Sequence, residues 1–246
     1  MGIARPFRRT CRQLEDGSYE NAGNGRYVTH PRFAVAPEQY VRAFLLIQKD
    51  LQELFDYVEP ADRNLCCYSY RIHELHMRTC IEVEANCRAI LLENGFVQKG
   101  NLDMREYRKL EKTHRLSGYQ IKAPFWHGAQ SIRTPYVEWQ SSGTLSWYDA
   151  YNAAKHDRHN EFVRANFENL LNAVSGLATI LSAQFCRQDF SPGPTLLALS
   201  GPNDGFESAI GNYFRVKFPD WPADERYSFN WQQLETQADP FQTLTF

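Results

Sequence analysis

The chain has 246 residues, of which 43% are hydrophobic and 23% charged, so it is long enough to bury a substantial core. A formal net charge of -2 argues against a strongly basic nucleic-acid-binding surface and equally against a binder of acidic polymers. Six cysteines without any CxxC spacing, in a chain of this size, are expected to be reduced and mostly buried thiols.

The N-terminal residues carry basic side chains with no apolar run after them, which is not the pattern of a secretory signal or a membrane anchor. The longest apolar run, LLNAVSGLATILSAQFC, is interrupted by polar residues, whereas a membrane-spanning helix needs about 20 predominantly apolar residues. We therefore expect a cytoplasmic protein that makes no membrane contact.

The first half of the chain predicts an irregular arm followed by two helices. Residues 1–37 contain glycine and proline without helical periodicity, which is typical of an irregular N-terminal arm. Apolar side chains then recur at helical spacing over residues 38–58, after a proline that a helix start tolerates. A longer helix is predicted over residues 65–94, and Gly95 supplies its left-handed C-terminal cap.

The middle of the chain predicts three more helices. An Asp followed three positions later by a Glu has the spacing of a capping box and starts a helix over residues 104–116, whose many charges indicate an outer position. Residues 119–138 hold aromatics and prolines without a helical period and are expected to form a loop with one or two strands. A short helix over residues 145–156 and a long apolar helix over residues 162–187 follow.

The C-terminal third is rich in turns, which the motifs SPGP, GPNDG and FPDWPAD mark. Residues 213–218 alternate as a short strand, which we expect to pair with residues 119–125. Together the elements predict an all-α fold, with a helical bundle of about five helices over residues 38–188 after the arm of residues 1–37. Residues 189–246 are expected to be a loop-rich extension that packs on the bundle as a small, partly extended cap.

Polar side chains cluster in the sequence WYDAYNAAKHDR, residues 147–158, directly before the most apolar segment of the chain. An Asn, a Lys and a His within one helical turn offer hydrogen-bond donors and a near-neutral base, which suit holding a phosphate and moving a proton. We therefore select candidate residues for two roles. His156 and Asn152 are the catalytic candidates, and Lys155, Arg158 and Tyr151 are the candidates for binding phosphate or RNA.

The alternative interpretation of this segment is structural. Asn152 and His156 would then cap the junction between two helices and pair with carboxylates such as Glu82 or Glu84, since structural networks also produce such clusters.

Two stretches together resemble a known superfamily. The sequence YNAAKHDR followed by a long apolar helix, and preceded by the helix RIHELHMRTCIEVEANCRAILLENGF, resembles the HEPN superfamily over about residues 38–188. This resemblance implies a compact helical bundle, often a homodimer, of a kind found in toxin-antitoxin and phage-defence systems. RNA and an antitoxin or another operon partner are then the expected partners, with no cofactor.

Many HEPN proteins are ribonucleases that need no metal, and in them an Arg and a His a few residues apart form a composite site across the dimer. That spacing occurs here at Arg71 and His76 and again at Arg108 and His114, about as often as chance composition predicts.

The chain departs from this motif in the predicted fourth helix, where Asn152 precedes His156 with three residues between them. An Asn cannot supply a fixed positive charge to a developing phosphorane, so Lys155 or Arg158 would have to supply it.

Three further interpretations stay open. A non-catalytic interaction protein would use the polar segment only for its structure. A helical metalloprotein would need two Glu-x-x-His motifs, and only Glu111 with His114 fits, so no dedicated metal site is expected. The aromatics, dense in residues 119–151 and 206–246, offer a stacking surface for single-stranded bases, although such residues more often cover a core or a dimer contact.

Overall fold

The computed structural model describes residues 2–19, 21, 23–98, 100–141, 143–187 and 205–245. Its helices are α1 (Pro37–Phe55), α2 (Tyr70–Glu93), α3 (Met104–Tyr107), α4 (Leu110–His114), α5 (Ser146–His156), α6 (Arg158–Glu161), α7 (Phe167–Phe185) and α8 (Trp231–Leu234). The four longest, α1, α2, α5 and α7, pack against one another, and the most extensive contact is that between α2 and α7. Within the described residues, no helix combines the length and the apolar character that crossing a bilayer requires.

The protein is mostly helical but carries a small sheet, so the expectation of an all-α fold is only partly met. The strands are β1 (Gln120–Lys122), β2 (Ile132–Arg133), β3 (Glu207–Ser208) and β4 (Arg215–Lys217), in the antiparallel order β2-β1-β4-β3. The predicted pairing of residues 213–218 with 119–125 is confirmed, with Ile121 opposite Val216. The motif SPGP and most of GPNDG lie outside the described residues.

The ends of α2 are fixed by side-chain and backbone caps. The Ser69 hydroxyl accepts a hydrogen bond from the Ile72 amide, so the helix starts later than residue 65. At the other end, Gly95 has a φ of 84°, as predicted, and the Phe96 amide donates to the Leu91 carbonyl at 2.9 Å.

The predicted helix over residues 104–116 is divided in two, although its capping box at Asp103 is confirmed. Arg115 adopts a φ of 50° and ends α4, because a left-handed residue cannot continue a right-handed helix. The prediction that this helix lies outside is also incomplete. One face of α3 and α4 is buried, through Tyr107, Leu110 and His114.

The long apolar helix begins at Phe167 and not at residue 162. The Asn166 side chain accepts a hydrogen bond from the Asn169 amide at 3.0 Å and caps α7, while Phe162–Arg164 forms a separate 3-10 turn. Nearly every residue of α7 is buried, which identifies the run LLNAVSGLATILSAQFC as the central helix of the core.

Residues 6–14 of the N-terminal arm, apart from half-buried Arg8, run through the interior, whereas other parts of the arm are exposed. The Cys11 amide donates to the Ala183 carbonyl in the last turn of α7, and the Tyr227 amide donates to the Gln13 carbonyl. The arm is therefore held between α7 and the C-terminal segment. Its buried polar residues are Arg9, Thr10, Arg12 and Gln13.

Arg9 is the most highly bonded residue of the arm. Its Nε atom lies 2.6 Å from Glu93 Oε1, and its two terminal nitrogens donate to Gln184 Oε1 at 3.0 Å and to the Val35 carbonyl at 2.6 Å. The guanidinium carbon lies 4.4 Å from the ring centroid of Tyr40. Arg9 thus connects the arm to α1, α2 and α7 at one point.

Candidate functional site

A groove of about 560 Å³ lies between α2 and the α5-α6 segment. The wall formed by α2 presents His73, Met77, Ile81 and Glu84. The opposite wall presents Tyr151, Lys155, His156 and Arg158. Met77 and Ile81 are the apolar part of this lining and are called the apolar floor. The groove therefore combines an apolar floor with imidazole and cationic groups.

The position of α5 is fixed by its buried aromatic face. Trp147 is fully enclosed, and its Nε1 atom donates to the Pro135 carbonyl at 2.7 Å. Its own carbonyl accepts from His76 Nε2 at 3.0 Å on α2. Tyr151 and Ala154 are also buried on α5 and contribute to the lining of the groove together with Lys155 and His156.

Four of the five candidate residues meet at the groove, and Asn152 does not line it. Tyr151 and Lys155 are four residues apart and follow one side of α5, whereas Arg158 begins α6 after the non-helical Asp157. Asn152 is half-buried.

The structural pairing expected for Asn152 and His156 is not the one observed. Glu84 Oε1 instead accepts a hydrogen bond from the Tyr148 hydroxyl at 2.7 Å. Among the described residues, no hydrogen bond or ion pair joins Asn152 or His156 to Glu82 or Glu84.

Tyr151 lies beneath Lys155 on the α5-α6 wall of the groove. Lys155 Nζ donates to its hydroxyl at 3.1 Å and lies 5.0 Å from its ring centroid. Burial first, and then the charge of Glu84, raises the pKa of Tyr151, so its phenol is protonated at neutral pH. Tyr151 is therefore a hydrogen-bonding neutral group, and it positions the ammonium of Lys155.

Lys155 and Arg158 form no close ion pair with any described residue, although the Glu84 carboxylate lines the same groove. Other basic residues form close ion pairs, as Arg9 does with Glu93 and Arg115 with Glu225. Within the described part of the chain, neither Lys155 nor Arg158 pairs with a carboxylate. Two cations in one groove without ion-pair partners in the described ranges, here called the uncompensated cations, attract an anion even on a protein whose net charge is -2.

His73 is a groove residue that sequence reasoning did not select. Burial first, and then the positive charge of Arg158, lowers the pKa of its imidazole, while a backbone interaction with Ala154 acts in the opposite direction. The imidazole is therefore neutral at pH 7 and able to accept a proton. Residues 73, 77, 81 and 84 recur at helical spacing and form a partly exposed stripe along α2. This spacing is the feature of the sequence that could have identified His73 as a groove residue.

The two Arg/His pairs of the ribonuclease spacing do not form sites. His76 and His114 are fully enclosed and hydrogen-bonded, and burial is the main cause that lowers their pKa values to about 4 and about 3. His114 Nε2 donates to the Arg9 carbonyl at 3.0 Å. Arg71 by contrast is exposed.

No metal centre is found in the described residues, where no group of three or more His, Cys, Asp or Glu side chains is placed to hold an ion. Four of the six cysteines are buried, while Cys66 and Cys67 are exposed.

The aromatic-rich segments proposed as a stacking surface lie mainly in the core. Their fully or almost fully buried members include Tyr119, Tyr136, Trp139, Trp147, Phe214, Trp221, Tyr227 and Trp231. These rings stabilise the fold and offer no face to a ligand.

No protein family, curated protein or solved structure matches this chain significantly. The chemistry of the groove is therefore the guide to function.

Proposed function

We propose that this chain is a HEPN-like protein that binds RNA through the groove between α2 and α5. In this proposal the five-helix bundle comprises α1, α2, the divided pair α3-α4, α5 and α7. The observation that carries the proposal is the pair of uncompensated cations, Lys155 and Arg158, beside two imidazoles. Arg158 supplies planar donors that suit bidentate phosphate contacts, and Lys155 supplies a point charge.

The same groups suit metal-independent cleavage of the strand. His156 accepts the proton of a ribose 2'-hydroxyl, whose oxygen attacks the adjacent phosphorus while the bond to the 5'-oxygen breaks and that oxygen is protonated. The products are a 2',3'-cyclic phosphate and a free 5'-hydroxyl. Lys155 and Arg158 offset the charge that develops on the phosphorane. Water supplies the proton that the departing 5'-oxygen takes up, and neutral His73 on the opposite wall is a second group able to accept the 2'-hydroxyl proton.

The wider context of the proposal comes from the HEPN resemblance. It comprises a cytoplasmic homodimer, a role in toxin-antitoxin or phage-defence systems, and an antitoxin or operon partner that controls the RNA-directed activity.

Replacement of His156 and of Arg158 separates cleavage from binding. His156→Ala is expected to abolish RNA cleavage in the presence of a chelator, because the proton acceptor is lost, while the melting temperature is unchanged. Arg158→Ala is expected to weaken RNA binding about tenfold and to reduce the slope of log affinity against log salt by about one, since one phosphate contact disappears. Binding is measured by fluorescence anisotropy on strands with 2'-O-methyl riboses, which cannot be cleaved.

Arg105→Ala is the matched control, because Arg105 is exposed and distant in sequence from the groove. Equal binding by Arg158→Ala and Arg105→Ala would contradict the proposed phosphate contact. Cleavage that survives His156→Ala would remove the catalytic role of His156.

A non-catalytic interaction protein is the second candidate, and the exposed apolar floor of the groove favours it. Ile81 is 52% exposed, and Met77 beside it is half-buried. In this alternative the purified protein does not cleave RNA. Ile81→Lys is then expected to abolish binding to a protein partner and to leave the amount of intact RNA unchanged.

A further inference from the structure

An aromatic cluster faces solvent at the start of α2. Tyr70 is 70% exposed and Tyr68 is 53% exposed, in contrast to the buried rings of the core. Phe162 connects them, with its ring centroid 4.8 Å from that of Tyr70 and 5.8 Å from that of Tyr68. We call the cluster of Tyr68, Tyr70 and Phe162 the aromatic platform.

The aromatic platform is held by backbone and ion-pair contacts. Tyr68 forms an antiparallel bridge with Asn166, which caps α7. Phe162 lies in the 3-10 turn, whose Arg164 pairs with Asp149 and Glu161. The exposed rings therefore have a defined place and do not belong to a loose loop.

His73 joins the aromatic platform to the groove. Its ring centroid lies 5.4 Å from that of Phe162, and the same side chain lines the groove near Arg158. The platform and the uncompensated cations thus form one continuous surface. Exposed rings beside cationic groups fit a ligand that carries both a flat ring and a phosphate.

We infer that the aromatic platform is a nucleobase-binding site, in which an unpaired base stacks on Tyr70 while its phosphate contacts Arg158. The inference rests on the proposed binding of RNA in the groove. Every base has a π-face, so stacking of this kind tolerates different base sequences, and a base held in a duplex cannot reach the platform. The site therefore selects unpaired strands without selecting a sequence.

The test compares Tyr70→Ala, Tyr70→Phe and the control Tyr57→Ala, because Tyr57 is 87% exposed but does not line the groove. Anisotropy is measured with a 2'-O-methyl single strand, the same strand annealed to its complement, and a strand with abasic sites. The wild type is expected to bind the intact single strand on the order of tenfold more tightly than the other two. Tyr70→Ala is expected to lose that preference, whereas Tyr70→Phe and Tyr57→Ala retain it.

The outcomes separate this site from the groove. If Tyr70→Ala keeps the wild-type preference while Arg158→Ala weakens binding, the base site is wrong and the phosphate groove stands. If the wild type binds none of the strands, both proposals fail. If light scattering shows that Tyr70→Ala changes the oligomeric state without changing strand preference, the platform is a contact between protein chains and the inference is overturned.

Discussion

Arg9→Ala is expected to lower the free energy of unfolding by about 3 kcal/mol, near the lower end of the cost of breaking a buried ion pair. The substitution leaves Glu93 without its partner, and it also removes the donors to Gln184 and to the Val35 carbonyl. Glu93 keeps some access to water, with 20% of its side chain exposed, which holds the cost below that of a fully enclosed pair. Urea denaturation at pH 7 measures the difference.

Two further variants show whether the cost comes from the buried position. Arg71→Ala removes an arginine whose side chain is 85% exposed and whose ion pair is correspondingly weak, so it is expected to change stability by less than about 1 kcal/mol. Arg9→Lys keeps the charge but loses the planar set of donors, and an intermediate loss is expected. A loss no larger for Arg9→Ala than for Arg71→Ala would show that Arg9 does not anchor the arm.

Lowering the pH from 7 to 5 is expected to remove about 4 kcal/mol of stability through His76 and His114 together. Burial lowers their pKa values to about 4 and about 3, from an unfolded value of 6.5. Their contribution to the free energy of unfolding is complete above pH 6.5 and is lost as the pH falls towards the folded pKa values. The reason is that in this range the imidazoles become protonated in the unfolded chain but stay neutral in the folded protein. Each imidazole accounts for about 2 kcal/mol at pH 5.

Other groups modify this pH dependence only in part. Half-buried His73 acts in the same direction, because burial and Arg158 also lower its pKa. Glu82 acts in the opposite direction, since burial raises its pKa and its contribution is lost as the pH rises. Urea denaturation at pH 7, 6 and 5 gives the slope of the free energy of unfolding against pH.

Single substitutions identify the histidines responsible for the slope. His114→Gln is expected to be less stable at pH 7 and to show a flatter pH dependence. His127→Gln, at an exposed position, is expected to keep the wild-type slope. Constant stability of the wild type between pH 7 and pH 5 would exclude the buried neutral imidazoles as its cause.

The sequence was most informative where periodicity and caps agreed. The helices α1, α2 and α5 lie within their predicted ranges apart from the first residue of α1, and the alternation of residues 213–218 identified a strand of the sheet. The break between α3 and α4 at Arg108 and Lys109 was not visible, because both residues keep right-handed backbone angles and no glycine or proline marks the break. The buried arm was missed for another reason, since its arginines are typical of a surface segment.

The candidate site was predicted in part, because one helix supplies only one wall. The polar segment of residues 147–158 supplied Tyr151, Lys155, His156 and Arg158 as candidates, and the structure brings these four to the groove. Asn152 was selected for its chemistry, but it does not line the groove. His73 comes from another helix, and which residues of α2 face α5 depends on tertiary packing that a single sequence does not reveal.

The buried arm also constrains the order in which the chain can fold. Tyr227 pairs with both Ile3 and Leu14, and the Phe7 amide donates to its hydroxyl across 220 positions of sequence. During synthesis these contacts cannot form until residue 227 has left the ribosome, whereas α1, α2 and α7 are already available to pack. Contacts of such long separation slow folding, so docking of the arm is a late step that closes the protein around its central helix.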